Sequence, residues 1–165
     1  MPLDDTAQIE PREFAGLDDY QRAVGGWIEP VDIPSLGVTI YVNEEGLIRQ
    51  LPLNSRATFL WWFHVPAARQ KVMLAGDAVI VGIPDRRGDS TDVPEAVLEL
   101  TTPGRRWRVE YLTVPDSCWR QGDIEHDDVW GAMFWGVMLL ERAAGVRHVR
   151  LAPITASHTN AISSD

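Results

Sequence analysis

The chain has 165 residues, 45% of them hydrophobic, with 24 acids against 15 bases and a formal net charge of −9. That length buries one ordinary core or two small ones, and the composition excludes a disordered chain. The single cysteine, Cys118, excludes an internal disulfide and a zinc site built on thiolate pairs.

The acidity is uneven. Residues 1–45 hold ten acids against two bases, Arg12 and Arg22, whereas the remainder is close to neutral. Such a surface argues against direct nucleic-acid binding and suits either simple solubility or a basic partner. Residues 1–5 lack the apolar run of a secretory signal. The longest apolar run, residues 129–140, is twelve residues long, short of the roughly twenty that span a membrane. The expectation is a cytoplasmic protein without a membrane partner, with Cys118 a free buried thiol.

Residues 1–16, polar and broken by Pro2 and Pro11, read as a mobile acidic arm. A short helix follows over residues 17–24, with Asp18 and Asp19 in its first turn and Gly25-Gly26 as its stop. Residues 27–31 read as a strand in which Pro30 marks an edge. Residues 38–42, β-branched and aromatic throughout, form the clearest strand. After a turn at Asn43-Glu44-Glu45-Gly46, residues 47–51 return as an extended segment. Asn54 or Ser55 caps a helix to His64, where a terminal cation is favourable. Residues 78–83 form a buried strand, and the polar loop 85–94 is the expected boundary between halves.

Residues 97–100 and 107–113 read as a hairpin around Pro103-Gly104, and 114–125 as irregular. Asp127 or Asp128 caps an apolar helix to about Ala144, stopped by Gly145. Residues 148–151 form a last strand, and 155–165 a frayed tail. The fold class is therefore α+β: a small mixed or mostly antiparallel sheet, two to four helices, and one long apolar C-terminal helix. The organisation is an arm (1–16), a first α+β region (17–94), a hairpin–helix–strand region (95–154) packed on it as one unit, and a tail.

Motifs of chemistry are sparse. No two of His64, His126, His148 and His158 stand at the spacing of a helical metal pair. Asp123, Glu125, His126, Asp127 and Asp128 are explained by capping of the helix that follows. No Gly-Lys-Ser/Thr follows Gly82, and Gly25-Gly26 follows a helix instead of a strand, which excludes the P-loop and the dinucleotide fingerprint. Arg87-Gly88-Asp89 is a coincidence in a chain without a secretion signal. Arg105-Arg106-Trp107-Arg108 is a basic patch interleaved with an aromatic, outweighed by the overall charge. No catalytic residue, cofactor or metal site is expected.

The aromatics are more informative. Phe59, Trp61, Trp62 and Phe63 surround one short helix, so one face is core and the other is open for interaction. Trp130, Phe134 and Met138 share a helix face, while Ala132 and Gly136 allow close helix approach. A helix apolar all round is buried in a core or against a partner, which admits a homodimer.

Gly25-Gly26-Trp27-Ile28-Glu29, Asn43-Glu44-Glu45-Gly46, Asn54-Ser55-Arg56-Ala57-Thr58 and Gly76-Asp77-Ala78-Val79-Ile80-Val81-Gly82 occur in an order and spacing that resemble the uncharacterised family called domain of unknown function 3846. The resemblance covers residues 17–82; Trp27 stands where that family usually has tyrosine. It implies an accessory protein of a phage or plasmid and no particular activity. Among the shared segments, the polar turn and cap residues Asn43, Glu44, Glu45, Asn54 and Arg56 could converge at one end of a sheet. With Trp61 and Trp62 they are the candidate binding residues. The leading expectation is a non-enzymatic protein that binds an unknown host or phage protein. The alternatives are an acidic DNA mimic, and a small-ligand binder or small enzyme with a pocket near Asn43, Glu44 and Arg56.

Overall fold

The structure, a computed structural model, describes residues 1–116 and 118–154. Among these residues it is an α+β protein with two small antiparallel sheets and four α-helices. The chain divides into two compact units, Met1–Thr102 and Pro103–Asp165.

In the first unit, β1 (Ile28–Ile33), β2 (Val38–Asn43) and β3 (Val79–Gly82) pair antiparallel in the order β1-β2-β3. Central β2 is buried at all six positions, which its β-branched composition satisfies. Pro30 sits opposite Tyr41 on edge strand β1, where a missing donor is tolerated. Helix α1 (Leu17–Val24) ends at Gly25, whose φ of 73° needs no Cβ. Its Val24 joins Tyr41, Val79 and Val81 in a core that also takes Phe14, Tyr20 and Ile28. Tyr20 stacks on Phe14 with ring centroids 5.0 Å apart.

Helix α2 (Ser55–His64) is capped by Asn54, whose side chain accepts from the Ala57 amide. It buries Ala57, Thr58 and Leu60. Residues 44–50 do not return as an extended segment. They form successive turns, with Arg49 N–H donating to Glu45 O at 2.8 Å and Leu51 N–H to Gly46 O at 2.9 Å. Gly46 is required there, because a Cβ would meet the Asn43 and Ala75 carbonyls at 3.0 and 3.1 Å.

Residues 97–100 belong to a helix, α3 (Glu95–Leu100), not to a hairpin strand. Glu95 lies in its first turn, Val97 is buried, and Ala96 and Glu99 are exposed. A run of four residues was too short to separate helical from strand periodicity. The first unit thus extends to Thr102, past the polar loop.

In the second unit, β4 (Trp107–Thr113) lies between β5 (Arg120–His126) and β6 (Val146–Pro153), antiparallel to both. Strand β5 falls where an irregular stretch was expected. Its burial pattern shows no apolar alternation. It pairs with β4 through the backbone, with ion pairs from Glu125 to Arg106 and Arg108 alongside. Helix α4 (Val129–Arg142) is capped by Asp128 through the Gly131 amide at 2.8 Å. It buries Val129, Ala132, Met133, Gly136 and Val137, while Phe134 and Trp135 are exposed. The small residues Ala132 and Gly136 thus lie on the packed side, and the larger aromatics lie outside it. No helix among the described residues is long and apolar enough to cross a membrane. The tail expected over 155–165 lies outside the described residues.

Candidate functional site

The seven candidate residues fall into separate groups. Asn43 is buried at the end of β2. Its Nδ2 donates to Val24 O at 3.2 Å and its Oδ1 accepts from Glu45 N–H at 2.9 Å. Gly26 lies against it so closely that a Cβ there would stand 2.5 Å from Nδ2. Asn43 therefore locks the turn between α1 and β1 to the turn after β2.

Asn54 and Arg56 act elsewhere. Asn54 Nδ2 donates to Gly76 O at 2.9 Å and to Met1 O at 3.3 Å. Arg56 Nη1 donates to Ala7 O at 2.7 Å, and its Nη2 reaches Asp5 O. Ser55 Oγ donates to Asp5 Oδ1 at 2.7 Å. The shared motif at the start of α2 thus fastens residues 1–7, and Leu3 N–H adds a bond to Asp77 Oδ1 at 2.7 Å. Among the described residues no hydrogen bond joins the Asn43 group to the Asn54–Arg56 group.

Trp61 and Trp62 are half-buried. The Trp62 indole donates to Val72 O at 2.8 Å and meets the Phe59 ring edge-on. His64 ends α2, but burial pushes its pKa down to about 4. It is neutral at physiological pH and gives no charge to the helix end, with Nδ1 3.3 Å from Ser35 Oγ.

Glu44 and Glu45 are exposed, and neither carboxylate has a partner among the described residues. Beside them lies an apolar set that sequence reasoning missed. Trp27 is 65% exposed, Leu47 58% and Ile48 84%. Glu44 N–H donates to Trp27 O at 2.9 Å, and Arg49 Nη1 donates to Gly25 O at 2.9 Å. These bonds hold the turns of residues 44–50 alongside Gly25 and Trp27. Reading residues 47–51 as extended hid the patch.

The first unit also contains a groove of about 920 Å³. Residues 7–14, β3, residues 90–93 and α3 line it. Its wall includes α3, so misassigning that helix concealed it.

In the second unit, the acidic cluster before α4 is taken up structurally. Asp128 caps the helix, and Glu125 pairs with Arg106 at 2.7 Å and Arg108 at 2.5 Å. Burial lowers the His126 pKa, against the pull of Asp128 and Asp127. Glu110, buried in β4, accepts from Arg150 Nε at 2.6 Å and from Gln121 at 3.3 Å. The Arg150 guanidinium lies 4.3 Å from the Trp119 ring centroid. Cys118 is exposed, contrary to the buried thiol expected, because it lies in the loop between β4 and β5.

The family model described as domain of unknown function (DUF3846) matches residues 1–103. The chain belongs to the DUF3846 family. The match extends beyond the segments that first suggested it and ends one residue after the first compact unit, which closes at Thr102. The DUF3846 region is thus a structural unit that includes the fastened N-terminal segment and α3. No curated protein and no solved structure matches the chain.

Proposed function

We propose that this DUF3846 protein is a non-enzymatic accessory protein of a mobile genetic element, acting in the cytoplasm by binding a host or phage protein. The observation that carries the reading is the exposed set Trp27, Leu47 and Ile48 beside the unpartnered carboxylates of Glu44 and Glu45. Aromatic and aliphatic anchors beside charge that can steer a partner are typical of recognition surfaces. Three of the seven tryptophans, Trp27, Trp119 and Trp135, are exposed, and of these Trp119 lies against the Arg150 guanidinium.

The alternatives have less support. A DNA mimic needs outward-facing, unengaged carboxylates, yet Asp4, Asp5, Asp19 and Asp32 all accept internal hydrogen bonds. A ligand pocket at Asn43 and Arg56 needs free polar atoms, and both side chains are bonded to backbone.

Affinity capture from a host lysate tests the reading. The wild type should retain a discrete protein that a Trp27→Ser, Ile48→Ser double variant loses, while Glu44→Gln, Glu45→Gln weakens retention at low salt. Equal retention by all three proteins would refute it.

A further inference from the structure

We infer that the groove along β3 is a second binding site, independent of the Trp27 patch, and that its ligand is a short extended peptide with basic side chains. The inference starts from the outer edge of β3. Antiparallel strands direct alternate residues to opposite sides of the ladder. On the side away from β2, Ala78 N–H donates to Met1 O at 3.0 Å, and Gly82 N–H donates to Thr91 O at 2.8 Å. Ile80 lies midway and has the same parity. Its N–H and C=O face the same side, and no described residue pairs with them there. Ile80 lines the groove.

The flanking pairs at Ala78 and Gly82 are four residues apart, which sets a slot of about 13 Å at roughly 3.3 Å per residue. One ligand residue can pair with Ile80, accepting from its N–H and donating to its C=O. This is strand addition reduced to a single rung. The ligand residues on either side then leave the ladder and lie over the apolar walls, supplied by Ile9, Phe14, Val93, Val97 and Leu98.

Charge decides the ligand class. The charged side chains lining the groove are Glu10, Arg12, Glu13, Asp77 and Asp92. The Met1 amino group also lines it, donates to Ala78 O at 2.6 Å, and has its pKa lowered by burial to about 6. Arg12 is already within 3.7 Å of Glu10, and Asp77 accepts from Leu3 N–H. The carboxylates of Glu13 and Asp92 have no partner among the described residues. Cationic side chains flanking the paired residue complement these carboxylates, and an acidic peptide is repelled.

The test uses the full chain and three synthetic peptides with blocked termini. These are Lys-Val-Lys-Val-Lys, its Glu-Val-Glu-Val-Glu counterpart, and the lysine peptide N-methylated at the residue that pairs with Ile80. The lysine peptide should shift the Ile80 amide resonance and bind more weakly as salt rises. N-methylation should weaken it roughly threefold to tenfold, the loss of one backbone hydrogen bond. Glu13→Gln with Asp92→Asn should weaken it roughly fivefold, since both residues are exposed and their pairs are modest. Absence of an Ile80 shift in a folded protein, equal binding of the acidic peptide, or indifference to N-methylation would each overturn the inference. None of these outcomes bears on the Trp27 patch, which lysate capture tests separately.

Discussion

Asn54 and Gly76 are joined by a buried hydrogen bond of 2.9 Å, while the other end of the same Asn54 amide caps α2 through Ala57 at 3.0 Å. One side chain therefore sets both where α2 starts and where the chain turns into β3. Asn54→Ala removes the cap and leaves the Gly76 carbonyl unpaired, for a loss of about 2–4 kcal/mol. Asn54→Asp keeps the cap but loses the donor, so it should also destabilise. Urea unfolding of both variants checks this, and a loss confined to Asn54→Ala would mean that the cap alone matters.

Gly26→Ala should destabilise by about 1–3 kcal/mol, because the new methyl group would force the buried Asn43 amide from its bond to Val24. Asn43→Ala should cost less in this background than in the wild type, since the two changes share the Val24 contact, and the remaining cost is the bond from Glu45 N–H. A double-mutant cycle that returned simple additivity would separate them.

Stability should fall as pH drops from 6.5 towards 4. His64 has a folded pKa of about 4 against an ordinary value of 6.5. In that window the unfolded chain takes up a proton that the folded chain refuses. Burial lowers His126 in the same direction. The stability is complete above the unfolded value and is lost on acidification. His64→Gln should flatten the melting temperature across this range, whereas an unchanged slope would place the effect elsewhere.

Arg150→Met should destabilise the second unit by about 1–3 kcal/mol. It leaves the buried Glu110 carboxylate with Gln121 alone, and an isolated buried charge is costly, here moderated because Arg150 itself is exposed. Glu110→Gln in the same chain should recover part of the loss. Denaturation of the single and double variants measures both.

Much of the fold was legible because its signals were local. The run at 38–42 reads as a buried strand, Gly25 closed a helix, and Asn54 and Asp128 opened helices. Helix α4, expected to run to about Ala144 and stop at Gly145, ends earlier, at Arg142 with Ala143 as its cap, and Gly145 serves the turn that follows. What escaped depended on pairing. Strand β5 carries Gly122, Asp123 and Glu125, with no apolar alternation, and it is recognised only by its pairing with β4, beside which Arg106 and Arg108 meet Glu125. Helix α3 was short enough to pass for a strand. Most of the polarity of the candidate residues is directed inward. Asn43, Asn54 and Arg56 hold backbone, whereas Trp27, Leu47 and Ile48 are exposed and carry the proposed surface. A sequence shows that Asn54 can cap; it does not show that its other amide end is already engaged.

The most direct test of the interaction surface is photo-crosslinking from position 48. A photoreactive residue replacing Ile48 should yield a discrete adduct in host extract, and the same residue replacing exposed Arg147 in the second unit should not. No adduct from position 48, or the same adduct from both positions, would contradict the assignment of a binding surface to Trp27, Leu47 and Ile48.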